Sequence, residues 1–122
     1  MDVKSSEIQQ RLRQLLGNPL FEAAREDDVD LLQKALNAGR SLAQARPENG
    51  FTPLHTAALN GSAAFLRDAL KHPTADPWVR DHQGYLPIDH ATVRRDRPVM
   101  QLLYDAMYPD GQVPFPPDPS AS

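Results

Sequence analysis

The sequence predicts an all-α solenoid of stacked helix–turn–helix units separated by protruding β-turn loops, and three observations carry that prediction. The chain aligns with itself without a gap at a shift of 34 residues, which superimposes Pro19, Pro53 and Pro87, then Leu20, Leu54 and Ile88, then Ala23, Ala57 and Ala91. In the same register Leu31, Phe65 and Val99 coincide, as do Leu32, Leu66 and Met100, then Ala35, Ala69 and Leu103, then Leu36, Leu70 and Tyr104. A constant period of this size marks units that cannot bury their apolar faces alone and must stack on their neighbours. The second observation is a pair of helix-start signals in every unit. The third is a glycine-bearing turn between units, RPENGF around Gly50 and RDHQGY around Gly84.

Taken in chain order, the first element is an amphipathic helix over Ser5 to Leu16. Ile8, Leu12, Leu15 and Leu16 form one apolar stripe, and Ser6 with Gln9 stands at capping-box spacing. Residues 1–17 are therefore expected to cap the open end of the array, as a solenoid requires for solubility. Three units follow, over 18–48, 49–80 and 81–109. In each, a short first helix starts at the proline, whose fixed φ and missing N–H suit the first helical position, and it ends near Arg25, Asn60 and Arg94. Asn18 and Thr52 precede those prolines and are expected to cap. Asp28, Ser62 and Asp96 stand one register apart and are expected to cap the second helices, each followed by apolar residues at helical spacing. The second helix is expected to end near Gly39 in the first unit and before Pro73 in the second. Residues 110–122 are rich in proline and have no apolar period, so this tail is expected to be extended or disordered. Its PxxP spacings lack a neighbouring cation to orient an SH3 contact.

The run NGFTPLHTAALNG, Asn49 to Gly61, resembles the ankyrin repeat signature, with DHQGYLPIDHA as a degenerate copy and NPLFEAA as a copy that lacks its leading turn. The period here is one residue longer than the typical one of that family. Leu86 stands where the pattern has a threonine, Asp89 where it has histidine, and Asp27 and Arg95 where it has glycine. A lost helix cap costs about 0.5–2 kcal/mol, so the third repeat is expected to be the least stable. The resemblance implies a structural role for His55, tied with the Thr52 hydroxyl into hydrogen bonds between adjacent turns. It also implies a concave face, formed by the protruding turns and the exposed side of the first helices, on which a partner protein binds.

Composition narrows the function. The chain has 122 residues, 13 Lys plus Arg against 16 Asp plus Glu, and a net charge of −3. That is room for one domain, with the wrong sign for a protein that binds nucleic acid by neutralising phosphates. The absence of cysteine excludes disulfides, thiolate metal sites and a cysteine nucleophile. No stretch approaches the length of a spanning helix and the N-terminus lacks the apolar centre of a signal peptide, so a soluble cytoplasmic protein is expected, with no membrane partner. Asp81, His82, Asp89 and His90 cluster in sequence but match no metal-ligand spacing, so no metal is expected. No serine lies in a nucleophile-elbow context, and no phosphate-binding glycine loop is present, so neither catalysis nor a cofactor is expected. The run Glu26, Asp27, Asp28 and Asp30 suits a helix N-terminus, and Arg94, Arg95 and Arg97 read as a solvated face.

The remaining candidates lie on the surface. On the turns these are Glu48, Asn49 and Phe51, and one register on His82, Gln83 and Tyr85; at the ends of the first helices they are Leu59 and Asn60, then Val93 and Arg94. Interfaces favour aromatic and arginine anchors in polar surroundings. Phe51 and Tyr85 have an alternative use in packing against neighbouring turns, and Trp78 in covering the core. The expected function is that of a non-catalytic adaptor, a monomer gripping one or more partner proteins. The alternative is a dedicated inhibitor or immunity protein that blocks a partner enzyme or toxin.

Overall fold

The computed structural model describes residues 19–109 as six helices, with no strand among them. The expected capping helix, the Asn18 cap and the proline-rich tail lie outside these residues. The helices are α1 (Pro19–Glu26), α2 (Val29–Asn37), α3 (Pro53–Asn60), α4 (Ala63–Ala69), α5 (Pro87–Arg94) and α6 (Arg97–Met107). The first helices α1, α3 and α5 pack side by side as one layer, and α2, α4 and α6 form the second layer behind them.

The repeated columns explain this arrangement. Ala23, Ala57 and Ala91, together with Ala24 and Ala58, are fully buried, and their small side chains let successive first helices approach closely. Leu20, Leu54, Leu32, Leu66, Phe65, Val99 and Leu103 fill the space between the layers, also fully buried. Ile88 and Met100, at equivalent positions in the third repeat, are only partly covered, because no further repeat follows among the described residues to close over them.

Each first helix begins at its proline as expected. In α3, Thr52 is the N-cap and His55 reaches back to it. In α5 the cap position holds Leu86, which has no side-chain acceptor. Asp89 takes over the reverse half of the arrangement, accepting from the Leu86 N–H at 2.8 Å, while Leu86 itself is buried. Burial of an apolar side chain thus offsets part of the missing cap in the third repeat.

Two of the three second helices are capped as expected and the third is not. Asp28 accepts from the Leu31 N–H at 3.1 Å and Asp96 from the Val99 N–H at 3.3 Å. Ser62 does not cap its own helix. Its hydroxyl, buried, donates to the Ala24 carbonyl of the preceding repeat. The Phe65 N–H is satisfied by Asp27, 38 residues earlier, whose Oδ1 accepts at 2.7 Å. Repeats one and two are therefore stitched by a reciprocal exchange: a hydroxyl running back to the end of α1, and a carboxylate running forward to the start of α4.

Asp27 and Arg95 occupy the left-handed region, with φ of 54° and 58°, at the register position that Gly61 fills with φ of 69°. This conformation costs an L side chain about 1–2 kcal/mol. Arg95→Gly is expected to raise stability by about 1 kcal/mol, read as a higher urea midpoint with unchanged slope. Asp27→Gly relieves the same strain but removes the Phe65 cap, worth about 0.5–2 kcal/mol, so it is expected to give no such gain. Equal gains at both positions would show that the Asp27 contact contributes nothing.

Candidate functional site

The side of the first-helix layer turned away from the second helices is built from equivalent residues at i, i+3 and i+4 spacing, which places them on one helix face. They are Glu22, Arg25 and Glu26 on α1, Thr56, Leu59 and Asn60 on α3, and His90, Val93 and Arg94 on α5. Leu59 is 45% exposed and Val93 is 84% exposed, so two large apolar side chains at matching positions on neighbouring helices face solvent. Glu22, Thr56 and His90 line this face with the six residues at the helix ends. The sequence had pointed to neither Glu22 nor Thr56, and to His90 only as one of the cluster with Asp81, His82 and Asp89, although the helical period places all three on this face.

The turns rise from the start of the first helices. In the first, the Phe51 N–H donates to Asn49 Oδ1 at 2.9 Å, and the Gly50 N–H to the Arg46 carbonyl at 2.7 Å. In the second, Asp81 Oδ1 accepts from both the Gln83 and Tyr85 N–H groups at 2.9 Å. The two turns are joined by the His82 N–H, which donates to the Asn49 carbonyl at 3.0 Å. Asn49 is thus committed to turn structure through both its side chain and its carbonyl. Glu48, His82 and Gln83 are exposed, and Tyr85 is 48% exposed. Glu48 lies 3.4 Å from Arg46, whose guanidinium also covers the face of buried Phe21 at 4.5 Å from the ring centre.

Beneath the tips lies a cluster of rings. His55 is fully buried; its Nδ1 faces the Thr52 N–H at 3.1 Å and the Thr52 hydroxyl at 2.9 Å, and its Nε2 faces the Tyr85 carbonyl at 3.0 Å. A backbone N–H can only donate and a carbonyl can only accept. The ring is therefore neutral, with the proton on Nε2. Burial pushes the His55 pKa below the ordinary imidazole value, against the opposing hydrogen bond to Tyr85. The structural role implied by the family resemblance is the one observed: His55 ties its own helix start to the next turn.

Phe51 stacks on His55 with ring centres 5.6 Å apart and meets His90 at 5.0 Å, while Tyr85 meets His90 edge-on at 5.8 Å. Phe51 is half-buried, so most of its ring serves the stack; Tyr85 keeps the more open position. His90 Nε2–H donates to Asp81 Oδ2 at 2.9 Å. Burial alone would raise the Asp81 carboxyl, but hydrogen bonds from Tyr85, His90 and Gln83 outweigh it and hold the group below the ordinary carboxylate range. Of the four residues clustered in sequence, Asp81 and His90 pair with each other, Asp89 bonds to the Leu86 N–H, and His82 is exposed with one edge of its ring against Gly50.

Trp78 lies elsewhere, 46% exposed and edge-on to Tyr108 at the end of α6 with ring centres 5.5 Å apart. No helix among the described residues is long and apolar enough to cross a membrane.

Comparison with known proteins agrees with this architecture. A profile for ankyrin repeats in three copies matches residues 20–112. The chain is 34% identical over 74 residues to the human 2-5A-dependent ribonuclease, which covers 61% of this chain and 10% of that protein. It is 28% identical over 93 residues to the rat ARF GTPase-activating protein GIT2, covering 76% of this chain and 12% of that one. The chain thus spans about a tenth of the length of these relatives.

Proposed function

The chain belongs to the ankyrin-repeat family, and from that premise we propose that it is a non-catalytic protein-binding module, a monomeric cytoplasmic adaptor that grips its partner with the exposed face of the first helices and the turn tips. The observation that carries this reading is the pair Leu59 and Val93. The apolar repeat columns are buried or partly buried, yet these two stand open at equivalent positions on adjacent helices. Large apolar side chains left in water at repeated positions suit an interface core better than a solvated surface.

Around them the face has the polar surroundings of an interface rim, in Asn60, Arg94, Glu48, His82 and Gln83, and Tyr85 supplies an aromatic anchor. Three repeats make a short face, which suits an interface of moderate area and affinity. The activities of the two long relatives belong to those proteins.

The reading is tested by affinity capture from lysate of the source cell, comparing the native chain with a Leu59→Ser, Tyr85→Ser, Val93→Ser variant shown to be folded by circular dichroism. The expected outcome is a protein retained by the native chain and lost from the variant. Equal retention by both moves the site to another surface. Assay of the captured protein then separates adaptor from inhibitor: an adaptor leaves its partner's activity unchanged, whereas an inhibitor abolishes it at an equimolar ratio.

A further inference from the structure

The exposed face changes chemistry along the array. On α1 it carries Glu22 and Glu26, with Arg25 lying against Glu26 at 3.3 Å, so two carboxylates stand against one guanidinium. On α3 it carries no charge at all, only Thr56, Leu59 and Asn60. On α5 it carries His90, which donates to Asp81, then Val93 and Arg94, with Arg95 directly after the helix. Asp89 lies at the opposite end of α5, where it accepts from the Leu86 N–H. Asp96, which caps α6 through Oδ1, has its Oδ2 beside the Arg94 guanidinium next to Gly61, so it offsets part of the Arg94 charge and leaves Arg95 as the excess positive charge at this end. The acidic end, the apolar middle and the basic end therefore follow one another across three adjacent helices.

Building on the reading that this face binds protein, we propose that it fits an extended partner segment with a central apolar side chain, a basic residue toward the α1 end and an acidic residue toward the α5 end. Packed helices lie about 8–10 Å apart, so the two charged ends are separated by about 16–20 Å across two such spacings. An extended chain rises about 3.3 Å per residue, which sets the basic and acidic residues of the partner roughly five or six positions apart, with the apolar anchor between them over Leu59 and Val93. Opposite charges at the two ends fix the direction in which the segment lies, because the reversed orientation brings like charges together.

The test is selection of a random dodecapeptide display library on the folded chain. The native protein is expected to enrich peptides with an apolar centre and oppositely charged flanks in one consistent order, and Val93→Lys is expected to weaken their binding by about tenfold or more. A charge-swapped variant, Glu22→Lys, Glu26→Lys, Arg94→Glu, Arg95→Glu, is expected to select the opposite order. A milder variant, Glu22→Gln with Arg94→Gln, guards against misfolding of the first and is expected to keep the apolar centre while relaxing both flanks. Peptides that depend on Val93 but show no charged flanks, or show the same order on the swapped variant, overturn the polarity and leave the binding face intact. No enrichment, or peptides indifferent to Val93→Lys, overturns both the polarity and the binding face.

Discussion

Replacement of His55 by alanine is expected to lower the free energy of unfolding by about 3 kcal/mol, from the buried Thr52 N–H left without a partner at about 1–3 kcal/mol and from the cavity left behind, at about 1 kcal/mol or more. The side chain is fully buried and bonded on both nitrogens, to Thr52 on its own helix and to the Tyr85 carbonyl of the next turn. Its loss leaves the Thr52 N–H without a partner inside the stack and takes one of two donors from the Tyr85 carbonyl, which keeps the Asp81 N–H at 2.9 Å. For a domain of this size about 3 kcal/mol lowers the melting temperature by about 12 °C or more. A loss under about 1 kcal/mol, typical of a surface substitution, would mean that the tie between turns is not structural.

The same residue sets a pH dependence. His55 is neutral when folded and its pKa is pushed below the ordinary value, so the unfolded chain binds a proton more readily than the folded one. Its contribution to stability is complete above the ordinary imidazole pKa of about 6.5 and is lost progressively as the pH falls below it. Asp81, held below the ordinary carboxylate range, contributes stability that is lost only at still lower pH, as the pH falls through its folded value. His90, which meets both His55 and Asp81, also lies in this cluster. Denaturant midpoints taken between about pH 7.5 and about pH 5, on either side of the imidazole range, are expected to fall for the native chain and to fall less for His55→Gln.

The second large effect lies at Gly50. Its φ is 75°, and a Cβ there would sit 2.5 Å from His82 Cδ2 and 2.8 Å from the His82 backbone nitrogen. A side chain can rotate away, but the His82 nitrogen is held by its hydrogen bond to the Asn49 carbonyl, so the two turns must part. Gly50→Ala is expected to cost about 2–4 kcal/mol, combining the left-handed strain with overpacking. Gly84 is the control: its φ is 87° but nothing lies within 4 Å of the added atom, so Gly84→Ala is expected to cost only the conformational part, about 1 kcal/mol. Equal costs at the two positions, read from urea unfolding, would contradict close stacking of the turns.

Much of the fold was legible because its determinants are local and repeat. The prolines, the alanine columns and the leucines at helical spacing mark each first helix, and those helices begin and end where the residues predict. What was not legible depends on neighbours distant in sequence. Ser62 has every local mark of a cap, yet the array brings the Ala24 carbonyl within reach of its hydroxyl and the Asp27 carboxylate within reach of its helix. Asp27 looked like one of a run of helix-start acids for the same reason. Phe51 and Tyr85 occupy the same place in the repeat, but Phe51 has His55 and His90 to stack on, whereas Tyr85 has no further turn among the described residues to cover it. Of the exposed first-helix face, the sequence pointed to the helix ends, whereas Glu22 and Thr56, one turn earlier, were not singled out and His90 was read only as one of a cluster with Asp81, His82 and Asp89.

The claim on which the rest depends is that this chain acts through the exposed face of its first helices. The most direct measurement is amide hydrogen exchange of the native chain alone and bound to the protein it captures. Slowed exchange is expected at the second turn around Tyr85 and at the ends of α3 and α5, where Leu59 and Val93 stand exposed, with the second-helix layer unchanged. Protection confined to α2, α4 and α6, with the turn tips and the first-helix ends unaffected, would contradict it.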